Sequence, residues 1–486
     1  MKTDRVSIVV PDDFPSVFKG TEAHQRATAL GKVTVFTERG ADQEEELIRR
    51  LDRARVAINI RAHARFTEPV FRACPTLKLV SVWGTGVDNV DLHAAGRNGV
   101  TVCNTPGVNA NAVAEHALAL MLAVARRVPT LDQAMRGGEW PRELLTQLFG
   151  KTLGVFGLGT IGSRLATLGK AIGMNVLAWS ARGESSRARA LGALIVFTER
   201  GADQEEELIR RLDRARVAIN IRAHARFTEP VFRACPTLKL VSVWGTGVDN
   251  VDLHAAGRNG VTVCNTPGVN ANAVAEHALA LMLAVAHRVP TLDQAMRGGQ
   301  WPRELLTQLF GKTLGVFGLG TIGSRVTTLG KTFGMNVLAW SARGDSNRAK
   351  ALGARAASKE EILREADVVS LHVRLEPETR GFLGRKELAL MKPTAILINT
   401  GRGALVDLEA LLEVLRERKI LAAGLDVFHE EPLKPADPIL TLPNVVLSPH
   451  TAGQTPEVIR DGLLRAVRNV ESFLKGSPTD LVVSPR

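Results

Sequence analysis

The chain has 486 residues, of which 45% are hydrophobic and 23% charged, and Lys plus Arg (62) exceed Asp plus Glu (50) by 12. At roughly 150 residues per domain this length predicts about three units, and the composition excludes a wholly disordered or collagen-like chain. The apolar run 117–125 is too short to cross a bilayer and the run 6–10 too short for a secretory signal, so we expect a cytoplasmic protein. Four cysteines without a CxxC pair predict neither a disulfide framework nor a metal site.

Strand-like and helix-like segments alternate from the N-terminus onward, which is the βαβ pattern of parallel sheets. The predicted strands of this part are 7–10, 33–36, 56–60, 77–82 and 100–103. A helix is predicted over 43–54. A second helix, over 111–127, carries Ala, Leu and Met on nearly all faces, so we expect it to be buried or to lie in a subunit interface.

A long internal repeat dominates the chain. Residues 35–193 (the first copy) recur as 196–354 (the second copy) at an offset of 161, with nine differences that include Arg126/His287 and Glu139/Gln300. One long unit copied nearly verbatim indicates a tandem segment duplication, since solenoids repeat units of roughly 20 to 50 residues. The first copy holds 20 basic and 14 acidic residues, a surplus of six. Half of the net charge of +12 therefore comes from counting the same surface twice. Because these bases are interspersed with acids, they favour a solvated face and argue against nucleic-acid binding.

The alternation continues after the second copy and ends in an amphipathic helix. The predicted elements here are strands at 368–371, 395–398, 422–427 and 445–447 and helices at 359–366, 407–418 and 455–474. The whole pattern predicts an α/β protein.

The strongest local motif is the GxGxxG stretch Gly318-Leu319-Gly320-Thr321-Ile322-Gly323, which lies between a strand-like run at 314–317 and a helix-like run at 324–333. Glycines there allow a sharp turn and let a pyrophosphate approach the positive end of the helix. This context predicts dinucleotide binding. The alternative is a glycine-tight turn without a ligand.

The next strand, 336–340, ends at Ser341, where NAD-specific proteins carry an acid for the ribose 2′-OH. Ser341 and Arg343 could hold a 2′-phosphate, so both NAD and NADP stay open; Asp345 comes late for the NAD role. The first copy repeats the motif at 157–162 but returns to repeat sequence at 196, so we expect this half-sheet not to bind a whole dinucleotide.

Three polar residues follow predicted strands or tight turns near strand ends: Arg402, Glu431 and His450. Open parallel sheets place ligands beyond the carboxyl ends of their strands. A histidine moves protons near neutral pH, a neighbouring glutamate orients its ring, and an arginine offers a fork to a carboxylate. For each residue alone a surface or structural role is the simpler interpretation; the three together favour a catalytic set.

At these residues the chain resembles the D-isomer-specific 2-hydroxyacid dehydrogenase family, which includes phosphoglycerate and glyoxylate/hydroxypyruvate reductase relatives. The matching stretches are 244–252, 265–268 with 275–276, the GxGxxG motif, 399–403, 426–432 and 448–453. The sequence departs from the family at Ser341, at Arg374 where many members have proline, and in the duplication itself.

The resemblance implies hydride transfer between a nicotinamide and a 2-keto or 2-hydroxy acid, with His450 as acid/base, Glu431 as its partner and Arg402 as the carboxylate anchor. It further implies substrate contacts that we assign to Arg222, Gly245, Thr246 and Gly247. The predicted cofactor-binding residues are Gly318, Gly320, Thr321, Ile322, Gly323, Ser341, Arg343, His372, Val373, Thr400, Asp426 and Gly453. The resemblance implies that Asp426 faces the nicotinamide carboxamide.

The resemblance also implies two Rossmann-like or flavodoxin-like doubly wound parallel-sheet domains, here with a duplicated partial copy of both. We expect residues 1–34, 196–265 and 451–486 to form the substrate domain, 266–450 the dinucleotide-binding domain, and 35–195 an extra segment. Either 35–104 or 196–265 could complete the substrate domain together with residues 1–34. We slightly favour 196–265, because it adjoins the intact hinge. The expected partners are a small 2-keto or 2-hydroxy acid and a second subunit bound through the nucleotide domain, with no membrane. The alternatives are an NAD(P)-sensing binding protein on the same scaffold and a folded product inactivated by the duplication.

Overall fold

The computed structural model describes residues 6–60, 64–83, 87–105, 107–156, 160–179, 208–209, 212, 216–220, 225–243, 248–342 and 344–483. The chain divides into two compact units, 1–113 and 114–486, which we describe one at a time. Within the described ranges, no helix combines the length with the hydropathy that a bilayer crossing requires.

The first unit holds a five-stranded parallel sheet in the order β2-β1-β3-β4-β5. Its elements are β1 (Val6–Val10), α1 (Glu22–Leu30), β2 (Gly31–Val35), α2 (Glu44–Arg50), β3 (Val56–Asn59), α3 (Glu68–Ala73), β4 (Leu79–Val82), α4 (Leu92–Arg97) and β5 (Thr101–Asn104). Helix α4 begins after Asp91, whose side chain accepts a hydrogen bond from the Ala94 N–H, as expected of an N-cap aspartate. The core of this unit is formed by aliphatic and phenylalanine side chains, among them Leu47, Phe66 and Leu77.

The N-terminal strand corrects one expectation. Residues 1–34 were expected to complete the sheet of 196–265, but β1 pairs with β2 and with β3 of the first copy. The physical reason is proximity along the chain, because contacts between nearby segments form at a lower entropic cost than those between distant ones. The other predicted domain boundaries stay predictions.

The described part of the second unit contains three sheets and most of the described helices. Its elements are α5 (Ala110–Ala125, which begins in the first unit), α6 (Val128–Arg136), β6 (Thr152–Phe156), α7 (Thr160–Ala171), β7 (Asn175–Trp179), β8 (Val217–Asn220), α8 (Glu229–Ala234), β9 (Leu240–Val243), α9 (Leu253–Arg258), β10 (Thr262–Cys264), α10 (Ala271–Ala286), α11 (Val289–Arg297), β11 (Thr313–Phe317), α12 (Thr321–Thr332), β12 (Asn336–Trp340), α13 (Ser346–Ala351), β13 (Arg355–Ala356), α14 (Lys359–Glu365), β14 (Val368–Leu371), α15 (Arg385–Leu388), β15 (Ile396–Asn399), α16 (Leu408–Arg416), β16 (Ala422–Leu425), β17 (Val445–Leu447), α17 (Pro456–Leu474) and β18 (Leu481–Val483).

A seven-stranded parallel sheet in the order β13-β12-β11-β14-β15-β16-β17 forms the largest layer of this unit. Its strands β14, β15 and β17 are buried and mainly aliphatic, as expected of a parallel sheet covered on both faces. The strand order reverses between β11 and β14, and such a switch point is where open α/β sheets bind ligands.

Strands β8, β9 and β10 of the second copy form a smaller sheet with the C-terminal strand β18, in the order β18-β10-β9-β8, and β18 runs antiparallel to β10. The terminal helix α17 packs on β9, and Ser242 Oγ donates to the Ala466 carbonyl at 3.0 Å. The first copy contributes a separate two-stranded sheet, β6-β7.

The same helical sequence is buried to different extents in the two copies. Helices α5 and α10 belong to one core cluster, but Val124 of α5 is 78% exposed and its repeat counterpart Val285 of α10 is 6% exposed. Helix α10 packs against β15, β16 and β17, whereas the first copy ends before the sequence that forms those strands. Burial, which we expected for this helix, is therefore nearly complete only in the second copy.

Candidate active site

Three neighbouring strands of the large sheet bring the predicted polar residues together at their carboxyl ends. Asn399 at the end of β15 pairs with Leu425 of β16, and Leu425 pairs with Leu447 of β17. Parallel strands in register end at the same edge, so the segments that carry Arg402, Asp426 and His450 leave the sheet side by side.

His450 and Glu431 form a hydrogen-bonded pair. His450 Nδ1 lies 2.7 Å from Glu431 Oε2, and the other carboxylate oxygen accepts from the Phe428 N–H at 2.9 Å. Burial alone would raise the pKa of Glu431, but the hydrogen bond and charge of His450, with the Phe428 N–H and the charge of Arg142, hold it below its usual range. The carboxylate therefore stays ionised beside the imidazole.

His450 has a left-handed backbone (φ 54°), which a non-glycine residue adopts only when its surroundings impose it. Its N–H donates to the Asp426 carbonyl at 2.7 Å, and the Thr451 and Ala452 N–H groups donate to the Asp426 carboxylate at 2.9 and 3.0 Å. Asp426 is fully buried, and this burial raises its pKa to about 6 against the opposing effects of the His450 charge and the hydrogen bonds. Asp426 thus fixes the turn that carries His450.

His277, a buried histidine, lies behind Asp426 and was not predicted from the sequence. Ser448 Oγ donates to Asp426 Oδ1 at 2.7 Å, so its oxygen accepts from His277 Nε2, which lies 2.8 Å away. Burial and the charge of Arg126 lower the pKa of His277 well below its usual value. The signal that could have revealed it is the ionisable pair Glu276-His277 within an otherwise apolar helix.

Arg402 lies beyond β15 and is bonded to an acid of the second copy. Its Nε and Nη2 donate to Asp249 Oδ2 at 2.8 and 2.6 Å, and its Nη1 donates to the Gly401 carbonyl. Asp249 belongs to a stretch that matched the family, yet it was not among the predicted site residues. The second copy's 248–265 segment therefore reaches this edge of the sheet.

The GxGxxG loop connects β11 to helix α12 in a geometry that requires glycine at two positions, Gly318 and Gly323. A Cβ on Gly323 would lie 1.8 Å from the Gly318 carbonyl oxygen, and one on Gly318 (φ 98°) would lie 2.5 Å from the His372 oxygen. A Cβ on Gly320 would meet nothing within 4 Å, and helix α12 begins there without a side-chain cap. The loop is thus closed on its sheet side and open at the helix N-terminus, where Thr321 and Ile322 stand, and it fits a dinucleotide pyrophosphate.

The remaining predicted cofactor residues that the structure describes lie at nearby strand ends. His372 and Val373 follow β14, and burial lowers the pKa of the His372 ring to about 4, with Ser370 Oγ 2.9 Å from Nε2. The buried Thr400 hydroxyl has no hydrogen-bond partner among the described residues, which leaves it able to bond a ligand. Gly453 lies beside Asn270, and Ser341 follows β12.

Five predicted site residues lie outside the described ranges: Arg222, Gly245, Thr246, Gly247 and Arg343. Asp345, the late candidate for the NAD ribose, is used otherwise, because its side chain caps helix α13 by accepting from the Arg348 N–H at 2.9 Å.

Two family models match the chain. The NAD binding domain of the D-isomer specific 2-hydroxyacid dehydrogenases matches residues 279–452, and the catalytic domain of the same family matches residues 16–190. The first match contains the GxGxxG loop and the Arg402, Glu431 and His450 segments.

Curated relatives and solved structures agree with these matches. A glyoxylate reductase of Aeropyrum pernix is 46% identical over 257 residues, which cover 51% of this chain and 77% of that enzyme. A D-3-phosphoglycerate dehydrogenase of Methanocaldococcus jannaschii is 38% identical over 58% of this chain, and the chain spans only 54% of that enzyme's length.

Among solved structures, the D-lactate dehydrogenase of Aquifex aeolicus with NAD and lactic acid is similar (TM-score 0.53, 30% identity, 57% of this chain and 90% of that one). An acyclic imino acid reductase with NADPH and D-Arg is also similar (TM-score 0.54, 31% identity, 58% of this chain and 89% of that one).

Proposed function

Since the chain belongs to the D-isomer specific 2-hydroxyacid dehydrogenase family, we propose that it interconverts a D-2-hydroxy acid and a 2-keto acid, with NAD or NADP as the hydride carrier. The observation that carries the proposal is the 2.7 Å bond between His450 and Glu431 at the edge of the sheet that also presents Arg402 and the glycine loop.

His450 acts as the acid in keto-acid reduction and as the base in the reverse direction. Because Glu431 engages Nδ1, the other ring nitrogen, Nε2, is the one that exchanges a proton with the substrate oxygen. The ionised Glu431 stabilises the imidazolium and keeps the ring in one orientation. The ring is about one-third exposed, so a substrate can reach it.

Arg402 binds the substrate carboxylate through its guanidinium fork. In the structure Asp249 holds this guanidinium, with two donors on one carboxylate oxygen. A substrate carboxylate carries the same charge and can take over those donors. Within the proposal, the predicted backbone contacts of Gly245, Thr246 and Gly247 and the side chain of Arg222 complete the substrate site.

The cofactor is held by the open face of the glycine loop at Gly320 and by the first N–H groups of α12. Once bound there, a nicotinamide would provide the hydride donor or acceptor for the substrate's C2. The presence of Ser341 and Arg343 supports NADP. The role of Asp345 supports it too, because its carboxylate caps helix α13 and is not the acid that would bind the ribose of NAD. The predicted homodimer, formed through the nucleotide domain, remains part of the proposal.

The test follows the absorbance of the reduced cofactor with a panel of 2-keto acids, including glyoxylate and hydroxypyruvate, and with NADH and NADPH in parallel. We expect turnover that His450→Gln lowers at least about a hundredfold, as is typical for loss of a general acid. His254→Gln, on an exposed helix position, is the matched control. Cofactor binding without turnover on any acid would contradict the proposal and favour the NAD(P)-sensing alternative.

A further inference from the structure

The two copies meet in the second unit through a reciprocal contact. Glu276 of the second copy accepts from the backbone N–H groups of 148–149 in the first, at 2.8 to 3.0 Å. Glu115, the counterpart of Glu276, accepts from the N–H groups of 309–310 in the second copy, at 2.8 and 2.9 Å. Contacts of this reciprocal kind mark a two-fold interface, here between two halves of one chain.

The helices that follow this contact have the same sequence and different surroundings. In α6 of the first copy Met135 is 1% exposed, whereas its counterpart in α11, Met296, is 53% exposed. The pair Asp132–Arg136 of α6 is likewise mostly buried, and the same pair in α11, Asp293–Arg297, is open to solvent. Of these two helices, α6 is the one that packs on β17, a strand that lies outside the repeated sequence.

Asp132 and Arg136 bond to the free edge of the large sheet. Asp132 Oδ1 accepts from the Leu447 N–H at 2.9 Å, and Arg136 donates to the Val445 carbonyl. Arg136 Nη1 also donates to the Leu440 and Leu442 carbonyls at 3.0 and 3.1 Å.

An edge strand leaves one row of backbone groups unpaired, and here a side-chain ion pair occupies that row. His450 comes three residues after β17 ends, and its left-handed backbone needs external support. Movement of β17 therefore shifts the imidazole relative to Glu431. A displacement of about 1 Å at a catalytic group can cost about a hundredfold in rate.

We infer that Asp132 and Arg136 of the first copy are positioning residues for the proposed acid–base pair, acting through strand β17. This inference rests on the proposed function. It gives the first copy a role in catalysis, because the first copy supplies from within the chain an element that a second subunit of the same sequence could otherwise supply.

The repeat offers a matched control for the test. In the full-length protein we compare Arg136→Met with Arg297→Met, which removes the same side chain from the exposed copy. Arg136→Met should lower kcat for keto-acid reduction by about tenfold to a hundredfold, with the KM for the cofactor changed less than about threefold, and should displace the pH–rate profile. Arg136→Lys should restore part of kcat, and Arg297→Met should leave both parameters unchanged.

Equal effects of the two methionine variants, or a lower kcat with an unmoved pH profile and no rescue by lysine, would overturn the inference. Amide hydrogen exchange gives a readout that does not need turnover: residues 445–447 should exchange faster in Arg136→Met and not in Arg297→Met, with 396–399 as the internal reference. If the wild type shows no turnover, the proposed function fails by itself, and unchanged exchange at 445–447 is then what refutes the positioning contact.

Discussion

Replacement of Glu431 by glutamine tests the acid–base pair most directly. The carboxylate accepts two hydrogen bonds, from His450 Nδ1 on one oxygen and from the Phe428 N–H on the other. A glutamine amide has one oxygen and one NH₂ group, so one of these two donors must lose its acceptor. The substitution also removes the negative charge that stabilises the imidazolium form of His450.

The expected size of the effect follows from the geometry. The pair is partly buried, with side chains 31% and 21% exposed and a 2.7 Å contact, so the bond is charge-assisted and largely shielded from water. Hydrogen bonds of this class contribute about 1.5 to 3 kcal/mol. If the whole contribution is expressed in the transition state, kcat for keto-acid reduction falls by about tenfold to 150-fold.

The assay measures kcat and kcat/KM for keto-acid reduction across pH in wild type, Glu431→Gln and Glu430→Gln. Protonation of Glu431, whose pKa lies below its usual range, should lower the wild-type rate at acid pH, and this acid limb should be missing from Glu431→Gln. Glu430→Gln is the matched control. It removes the same charge one residue away, at an exposed position whose ion-pair partner in the described structure is Lys434. A Glu431→Gln enzyme with wild-type kcat and an unmoved pH profile would refute the role assigned to this pair.

Three further outcomes are expected. Gly323→Ala should unfold at a lower temperature even without cofactor, because its Cβ would lie 1.8 Å from the Gly318 carbonyl oxygen, whereas Gly320→Ala, with nothing within 4 Å, should keep the wild-type melting temperature; equal melting curves would contradict the loop geometry. Asp426 has a folded-state pKa of about 6, above its unfolded value of 3.8, so its contribution to stability is present at low pH and declines by up to about 3 kcal/mol as pH rises through this window. Urea unfolding of Asp426→Asn should lack that decline, and a parallel pH dependence in both proteins would argue against the assignment. Arg402→Lys should lower kcat/KM for the keto acid by about a hundredfold while cofactor affinity stays constant, since an ammonium cannot reproduce the two-pronged contact; a fall in cofactor affinity alone would place Arg402 elsewhere in the mechanism.

The local structure of this chain was predictable from its sequence. The helices at 110–125 and 271–286 have equivalent bounds although their surroundings differ, and so do those at 128–136 and 289–297. Hydrogen bonds within a helix join residues four apart, so the same sequence gives the same helix in either copy. The positions of Arg402 and His450 after buried strands were predictable for a similar reason, because short aliphatic runs mark the strands of a parallel sheet. Asp426 was predicted inside the strand 422–427, whereas the strand ends at Leu425.

Tertiary structure alone decided which of two equal sequences is buried, which strands pair, and which side chains meet. The first strand joined the first copy's sheet, Asp249 became the partner of Arg402, and His277 reached Ser448 behind Asp426. Helix α6 packs on the open sheet edge, whereas Met296 and the Asp293–Arg297 pair of its duplicate α11 are exposed to solvent. These outcomes depend on segments that are far apart along the chain, and a repeated sequence carries no local difference that could choose between its two copies.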